Sequence, residues 1–114
     1  MALGPEGDFP SFFAPGALFS DPVNAPTTDI ASIEEMTKAS FPDWQQQIVS
    51  VQGDDVSGSF EWIGRGTLGG TISIEIHGCT VVDVDSGGLV TRWRDYFDLK
   101  AIESQVANSA PAPG

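Results

Sequence analysis

The chain has 114 residues, enough for one domain with one hydrophobic core. Sixteen acidic against five basic side chains give a net charge of −11, so phosphate backbones and anionic lipid surfaces are repelled, and neither nucleic acid nor a membrane is an expected partner. An apolar share of 40 %, with three Trp, seven Phe and one Tyr, can build a core and line a cavity as well. No apolar run approaches membrane-spanning length, and the first residues lack the basic-then-apolar layout of a signal peptide. Cys79 is alone, which excludes an internal disulfide and makes the cytoplasm the expected compartment.

In chain order, residues 1–8 carry Gly and Pro breakers without periodicity and read as an irregular segment. Residues 10–14 suit a short helix opened by Pro10, and 17–20 a short strand closed by Asp21-Pro22. Thr28 or Asp29 can cap a helix running to about Ser40, with Ile30, Ile33, Met36 and Thr37 recurring at helical spacing. Phe41-Pro42-Asp43 stops it. Residues 44–52 read as a strand, Gly53-Asp54-Asp55 as a turn, and 56–67 as the next strand. Glycines 64, 66, 69 and 70 read as hairpin punctuation. Residues 71–84 are the clearest strand, with Ile72, Ile74, Ile76, Thr80, Val82 and Val84 on one face. A turn at 85–88 leads to a last strand, and 99–108 suits a short helix. The expected layout is one domain over 9–107 and a flexible tail over 108–114. Helical pieces followed by four hairpin-linked strands argue an α+β domain with a curved antiparallel sheet wrapped round helices.

The last strand carries the most information. In Leu89-Val90-Thr91-Arg92-Trp93-Arg94-Asp95-Tyr96-Phe97-Asp98-Leu99, alternation puts Trp93, Asp95 and Phe97 on one face and Arg92, Arg94, Tyr96 and Asp98 on the other. A carboxylate between two large aromatics is partly desolvated if that face lines an apolar pocket, which raises its pKa. The charges of the opposite face can pair with one another in solvent.

This stretch resembles the last strand of the SnoaL-like polyketide cyclases and of limonene-1,2-epoxide hydrolase, both of the nuclear-transport-factor-2-like superfamily of cone-shaped α+β domains. Glu6-Gly7-Asp8-Phe9 and Phe12-Phe13-Ala14-Pro15-Gly16-Ala17-Leu18-Phe19-Ser20-Asp21-Pro22-Val23 resemble that superfamily's second helix and first strand. The resemblance spans about 6–106. It implies a long first helix ahead of Gly7-Asp8, where this sequence offers a handful of residues, so apolar wall at Phe9, Phe12, Phe13 and Phe97 is expected nearer to water.

The resemblance makes Asp95 the candidate general acid or base, against the plainer reading of a buried aspartate that only accepts hydrogen bonds. Asp21 falls where ketosteroid isomerases hold their proton-shuttling carboxylate, although Asp before Pro is also a common turn former. Trp93, Phe97, Phe19, Trp62, Glu61 and Thr80 are the candidate substrate-binding residues. Phe19 and Asp21 stand at the epoxide hydrolases' tyrosine and asparagine positions, and Thr80 near the isomerases' protonated acid. The strand side that Glu61 faces stays open. The epoxide hydrolases' arginine–aspartate pair has no counterpart in Ser59-Phe60-Glu61-Trp62, and the isomerases' oxyanion tyrosine belongs to the first helix, so neither mechanism carries over.

The expected function is therefore an apolar-ligand pocket with cyclisation- or isomerisation-type acid–base chemistry, or the same pocket binding an apolar ligand or a protein without turnover. No cofactor is implied, since a desolvated carboxylate suffices for enolisation. His77 and Cys79 on alternating positions make a poor metal site, so no metal is expected. Ser73, Glu75, His77 and Cys79 share a mixed strand face suited to a homodimer contact.

Overall fold

The computed structural model describes residues 9–109, so the readings for 1–8 and 110–114 lie outside the described residues. A 3₁₀ turn, Phe9–Phe12, leads into β1 (Phe13–Ser20), followed by α1 (Ile30–Ser40), β2 (Gln45–Gly53), β3 (Ser57–Leu68), β4 (Ile72–Val84), β5 (Val90–Phe97) and α2 (Leu99–Ser109). Asn108 and Ser109 thus belong to the final helix and not to a tail.

The strands form one sheet in the order β1-β5-β4-β3-β2. β2 through β5 pair antiparallel, each with its sequence neighbour. β1 corrects the all-antiparallel expectation, because it lies parallel to β5. It also starts earlier than the short strand expected over 17–20. Its register jumps between Phe13↔Val90 and Leu18↔Arg92. Pro15 offers no N–H to a ladder and Gly16 takes φ 76°, so the chain swings out there before rejoining the sheet. The isolated proline and glycine hide the first half of the strand from a sequence reading.

The local chemistry of the other elements follows the sequence closely. Asp29 caps α1, its carboxylate accepting from the Ser32 backbone N–H at 3.2 Å and the Ser32 hydroxyl at 2.8 Å. Ile30 and Ile33 are buried while Met36 is half exposed. Asp43 accepts from the Thr67 N–H and hydroxyl, both at 2.8 Å, tying the end of α1 to β3. The β3–β4 turn has Gly69 and Gly70 at φ 59° and 79°, the positive pair that a tight hairpin needs.

The interior divides in two. Phe9, Phe13, Ala17, Phe19, Ile30, Ile33, Val90 and Trp93 form one buried cluster. Phe9 is 3 % exposed and Phe13 8 %, so these two are buried, Phe9 also bordering the cavity; of the three, Phe12, at 44 %, is the one left in solvent. The second cluster is built on Trp62, Ile74 and Ile76, with Ile102 and Val106 of α2 laid against it. β5 pairs with β4 only from Gly78 onward, which leaves the first half of β4 with a free edge. Gln105 of α2 fills it: the Glu75 N–H donates to Oε1 at 2.7 Å and Nε2 donates to the Glu75 carbonyl at 2.8 Å. One side chain thereby stands in for a missing strand and fixes α2 over the second cluster.

Candidate active site

Between the two clusters, under α1 and α2, lies a cavity of about 520 Å³. Phe19, Phe41, Trp44, Trp62, Ile76 and Phe97 give it an apolar surface, and Asp95 and Asp21 both reach it. Alternation on β5 turns Trp93, Asp95 and Phe97 to this side of the sheet, as the sequence pattern predicts.

Asp95 is built in from three strands. The β4–β5 register sets Thr80 directly opposite it, and Phe60 of β3 lies across from Thr80 on the other side. The Thr80 hydroxyl donates to Asp95 Oδ1 at 2.5 Å, and the Trp93 indole N–H donates to the same oxygen at 2.9 Å. Among the described residues nothing donates to Oδ2. Desolvation pushes the Asp95 carboxyl up to about 6, the two donors on Oδ1 hold it from rising further, and the nearby charge of Asp21 adds to the rise.

Asp21 is placed by the parallel pair. Phe19↔Trp93 and Ser20↔Arg94 put it beside Asp95 at the end of β1. Its own carboxylate is occupied locally. Oδ1 accepts from the Val23 N–H at 2.8 Å and the Asn24 N–H at 2.6 Å, and the Asn24 side-chain amide donates to both oxygens at 3.1 Å. This is the turn that Asp-Pro promises, and Asp21 adds negative charge beside Asp95 without a free lone-pair face as open as that of Oδ2.

The candidate substrate-binding residues separate into three groups. Phe19, Trp62 and Phe97 line the cavity. Trp93 and Thr80 do not: Trp93 is packed inside the first cluster, Thr80 is 0 % exposed, and both act on Asp95 from behind. Glu61 is exposed on the opposite face of β3, because Trp62 takes the inward position and adjacent residues alternate. It is no part of the site. On β5 the outward Arg94 reaches Asp83 of β4 at 3.5 Å.

Trp44 and Phe41 are lining residues that the sequence reading missed. The signal lay in the glycines. Gly64 and Gly66 are not turn residues but stand inside β3, on its inward side, where a Cβ on Gly64 would come within 2.2 Å of the Trp44 ring. Gly78 on β4 does the same for Trp62, a Cβ there falling 2.3 Å from Cζ2. Strand-interior glycine here marks an indole lying flat on the sheet.

No sequence-family model matches the chain, and no curated protein sequence does. Solved structures do. A hypothetical protein with a ketosteroid isomerase-like fold from Catenulispora acidiphila DSM 44928, crystallised with trimethylamine, superposes with TM-score 0.78 at 18 % identity, over 91 % of this chain and 84 % of that one. The fold is nuclear-transport-factor-2-like. Within this fold, a protein of the SnoaL-like polyketide cyclase type from Jannaschia sp. CCS1 gives TM-score 0.75 at 16 % identity, covering 88 % of this chain and 75 % of its own. An LEH-like epoxide hydrolase from M. tuberculosis gives 0.70 at 16 %, with the same coverage. At such identities the nuclear-transport-factor-2-like frame is what is shared, a curved sheet with helices packed on it, and a reaction is not. Among the described residues no helix is long and apolar enough to cross a membrane.

Proposed function

We propose that this chain is an acid–base pocket protein acting on an apolar, ring-containing carbonyl compound, with Asp95 as the group that moves the proton. One observation carries the reading: a carboxylate with Oδ1 doubly hydrogen-bonded and Oδ2 free of described donors, at the wall of an apolar cavity, with its pKa at about 6. Near neutral pH such a group is ionised, yet basic enough to take a proton from a carbon next to a carbonyl. The C–H bond breaks, its proton goes to Asp95, and its electron pair moves into an enolate. Returning the proton to another carbon isomerises the substrate; attack of the enolate carbon on a second carbonyl closes a ring, that carbonyl's π pair moving to its oxygen, which takes the proton back from Asp95. Phe19, Trp62 and Phe97 supply flat apolar walls for a ring system, and Asp21 serves as a neighbouring charge that keeps Asp95 basic.

Binding without turnover is the second reading, and it has its own support. Two polar lining groups that could hold an enolate oxygen are engaged, the Asn24 amide by Asp21 and the Thr37 hydroxyl by the Ile33 carbonyl at 3.0 Å, which leaves the Trp44 indole N–H as the lining donor without a partner among the described residues. Hydrogen–deuterium exchange separates the two. Polycyclic ketones and diketones are incubated with the protein in D₂O and followed by NMR or mass spectrometry, with binding scored in parallel by thermal shift. Exchange next to the carbonyl that drops about 10²-fold or more in Asp95→Asn supports the acid–base reading. Ligands that raise the melting temperature but never exchange leave only the binding module.

A further inference from the structure

Thr80 is the one polar residue of the chain that is wholly buried among the described residues, and the hydrogen bonds around it have a forced direction. Trp62 lies flat across Gly78, which holds its indole N–H toward β4. That N–H donates to Thr80 Oγ1 at 2.8 Å. An indole nitrogen can only donate, so Thr80 is the acceptor there, and its single hydroxyl proton is left for Asp95 Oδ1 at 2.5 Å. Trp93 donates to the same oxygen. Oδ1 therefore receives two protons from neutral donors whose own geometry is fixed by packing. A proton arriving at Asp95 has only Oδ2 on which to settle.

We infer that Trp62, Thr80 and Asp95 form a one-way relay that reserves Oδ2 of Asp95 for the proton exchanged with the cavity, with Thr80 the positioning residue. The inference deepens the acid–base reading above and rests on it for its relevance to catalysis, but the relay itself is testable without any substrate. Its two ends differ in kind. Trp62 is a wall of the cavity, so whatever stacks on it touches the chain of hydrogen bonds; Thr80 is wholly buried and does not line the cavity. Among the described residues, the charged groups sharing the cavity with Asp95 are Asp21 at the end of β1 and Glu34 and Lys38 on α1, the last two paired at 3.6 Å. The cavity-lining residues of β3, β4 and α2 are uncharged.

The experiment is a pH titration by NMR that follows the Asp95 carboxyl carbon and the three indole N–H signals together. In the unaltered protein the Trp62 signal, which has no direct contact with Asp95, is expected to shift with the same midpoint as the carboxyl. The Trp93 signal shifts with it, and that of Trp44, whose buried N–H has no partner among the described residues, moves least. Thr80→Val removes the relay's middle: the Asp95 midpoint rises by about one pH unit or more and the Trp62 signal goes flat. Thr80→Ser, which keeps the hydroxyl, preserves both responses. In proton exchange, Thr80→Val lowers kcat and displaces the pH profile upward with KM little changed. A Trp62 signal that stays flat in the unaltered protein overturns the relay, as do equal midpoints in the Val and Ser variants. If Thr80→Val does not fold, the unaltered protein and Thr80→Ser still decide. A relay that passes these tests in a protein that exchanges no ketone would stand while the acid–base reading falls.

Discussion

The two halves of the interior are made of the same residue types and put to opposite uses. Around Trp93 the rings close on one another: Phe9 meets Phe13 at 4.9 Å and Trp93 at 5.4 Å, both edge to face, and Phe60 reaches Trp93 at 5.8 Å. Around Trp62 they stand apart, Trp44 and Phe97 each with centroids 6.3 Å away, and the cavity fills the difference. The closed half covers one flank of the β4–β5 pair. The open half uses its rings as walls, and its indoles, Trp44 and Trp62, are seated on strand-interior glycines. Asp95 sits on the seam, bonded backward into the closed half through Trp93 and across to the open half through Thr80 and Trp62. A carboxylate set there is anchored from one side and reachable from the other.

The comparison breaks most visibly by truncation. Phe13→Ala, in the closed half, is expected to cost about 3–5 kcal/mol in urea unfolding, because a packed ring leaves a cavity that its neighbours cannot refill. Ile102→Ala, on the partly buried face of α2, should cost about 1 kcal/mol or less and enlarge a space that is already open. Equal losses would show that the two halves are not distinct.

Asp95→Asn comes next, and its sign is opposite. The folded pKa of about 6 lies above the ordinary 3.8, so ionised Asp95 opposes folding. That cost is absent below about pH 4, grows as pH rises through the window between the two values, and is complete above about pH 6. Asparagine keeps the Oδ1 acceptor and carries no charge. The variant should therefore be more stable than the unaltered protein at pH 7–8, by up to about 3 kcal/mol, and equal to it below pH 4. Asp43 and Asp54 run the other way: hydrogen bonds from Thr67, and from Val56 and Ser57, lower their pKa values, so both proteins lose stability as acid reaches those groups. A loss of stability on Asp95→Asn at pH 8 would contradict the desolvated site.

Gly78→Ala tests the glycine seat. A Cβ 2.3 Å from Trp62 forces the indole off β4, at about 1–3 kcal/mol for the overpacking. The diagnostic part is local: the Trp62 N–H should lose its bond to Thr80, seen as faster hydrogen exchange at that indole. Gly69→Ala, in the turn, has open space and only its positive φ to strain it, and should leave the indole untouched.

These contrasts also explain what could be read in advance. Helix α1 with its Asp29 cap, the alternating face of β4 and the inward trio of Trp93, Asp95 and Phe97 are written in local periodicity, which is why they were legible. The parallel β1 was not, since Pro15 and Gly16 break the pattern that would mark its first half, and parallel pairing is a long-range choice. Thr80 was legible as an inward residue, but whether an inward hydroxyl meets ligand or carboxylate depends on the cross-strand register. Glu61 could have been placed by parity from Trp62, had the inward side of β3 been known. Glycines 64 and 66 carried a real signal that looked like turn chemistry, because sequence alone does not say what a missing Cβ makes room for.

The smallest expected effect on the folded chain lies on the outer face, away from both halves. Ser73, Glu75 and His77 are exposed there, and Glu75 bridges Arg65 at 2.8 Å and His77 at 3.0 Å. Exposed ion pairs of this sort contribute little to a monomer, so His77→Asp should change the stability of the single chain by no more than about 0.5 kcal/mol. Its effect is expected in assembly. The face is mixed rather than acidic, unlike the chain as a whole, and two copies approaching through it meet less of the repulsion that a net charge of −11 creates elsewhere. Sedimentation at micromolar protein and ordinary salt should give the mass of a dimer for the unaltered chain. His77→Asp places two like charges where the copies meet and should shift that mass toward the monomer with the melting curve of the dilute protein unchanged. A monomer from the start would remove this face as a contact and leave the sheet's outer side to solvent.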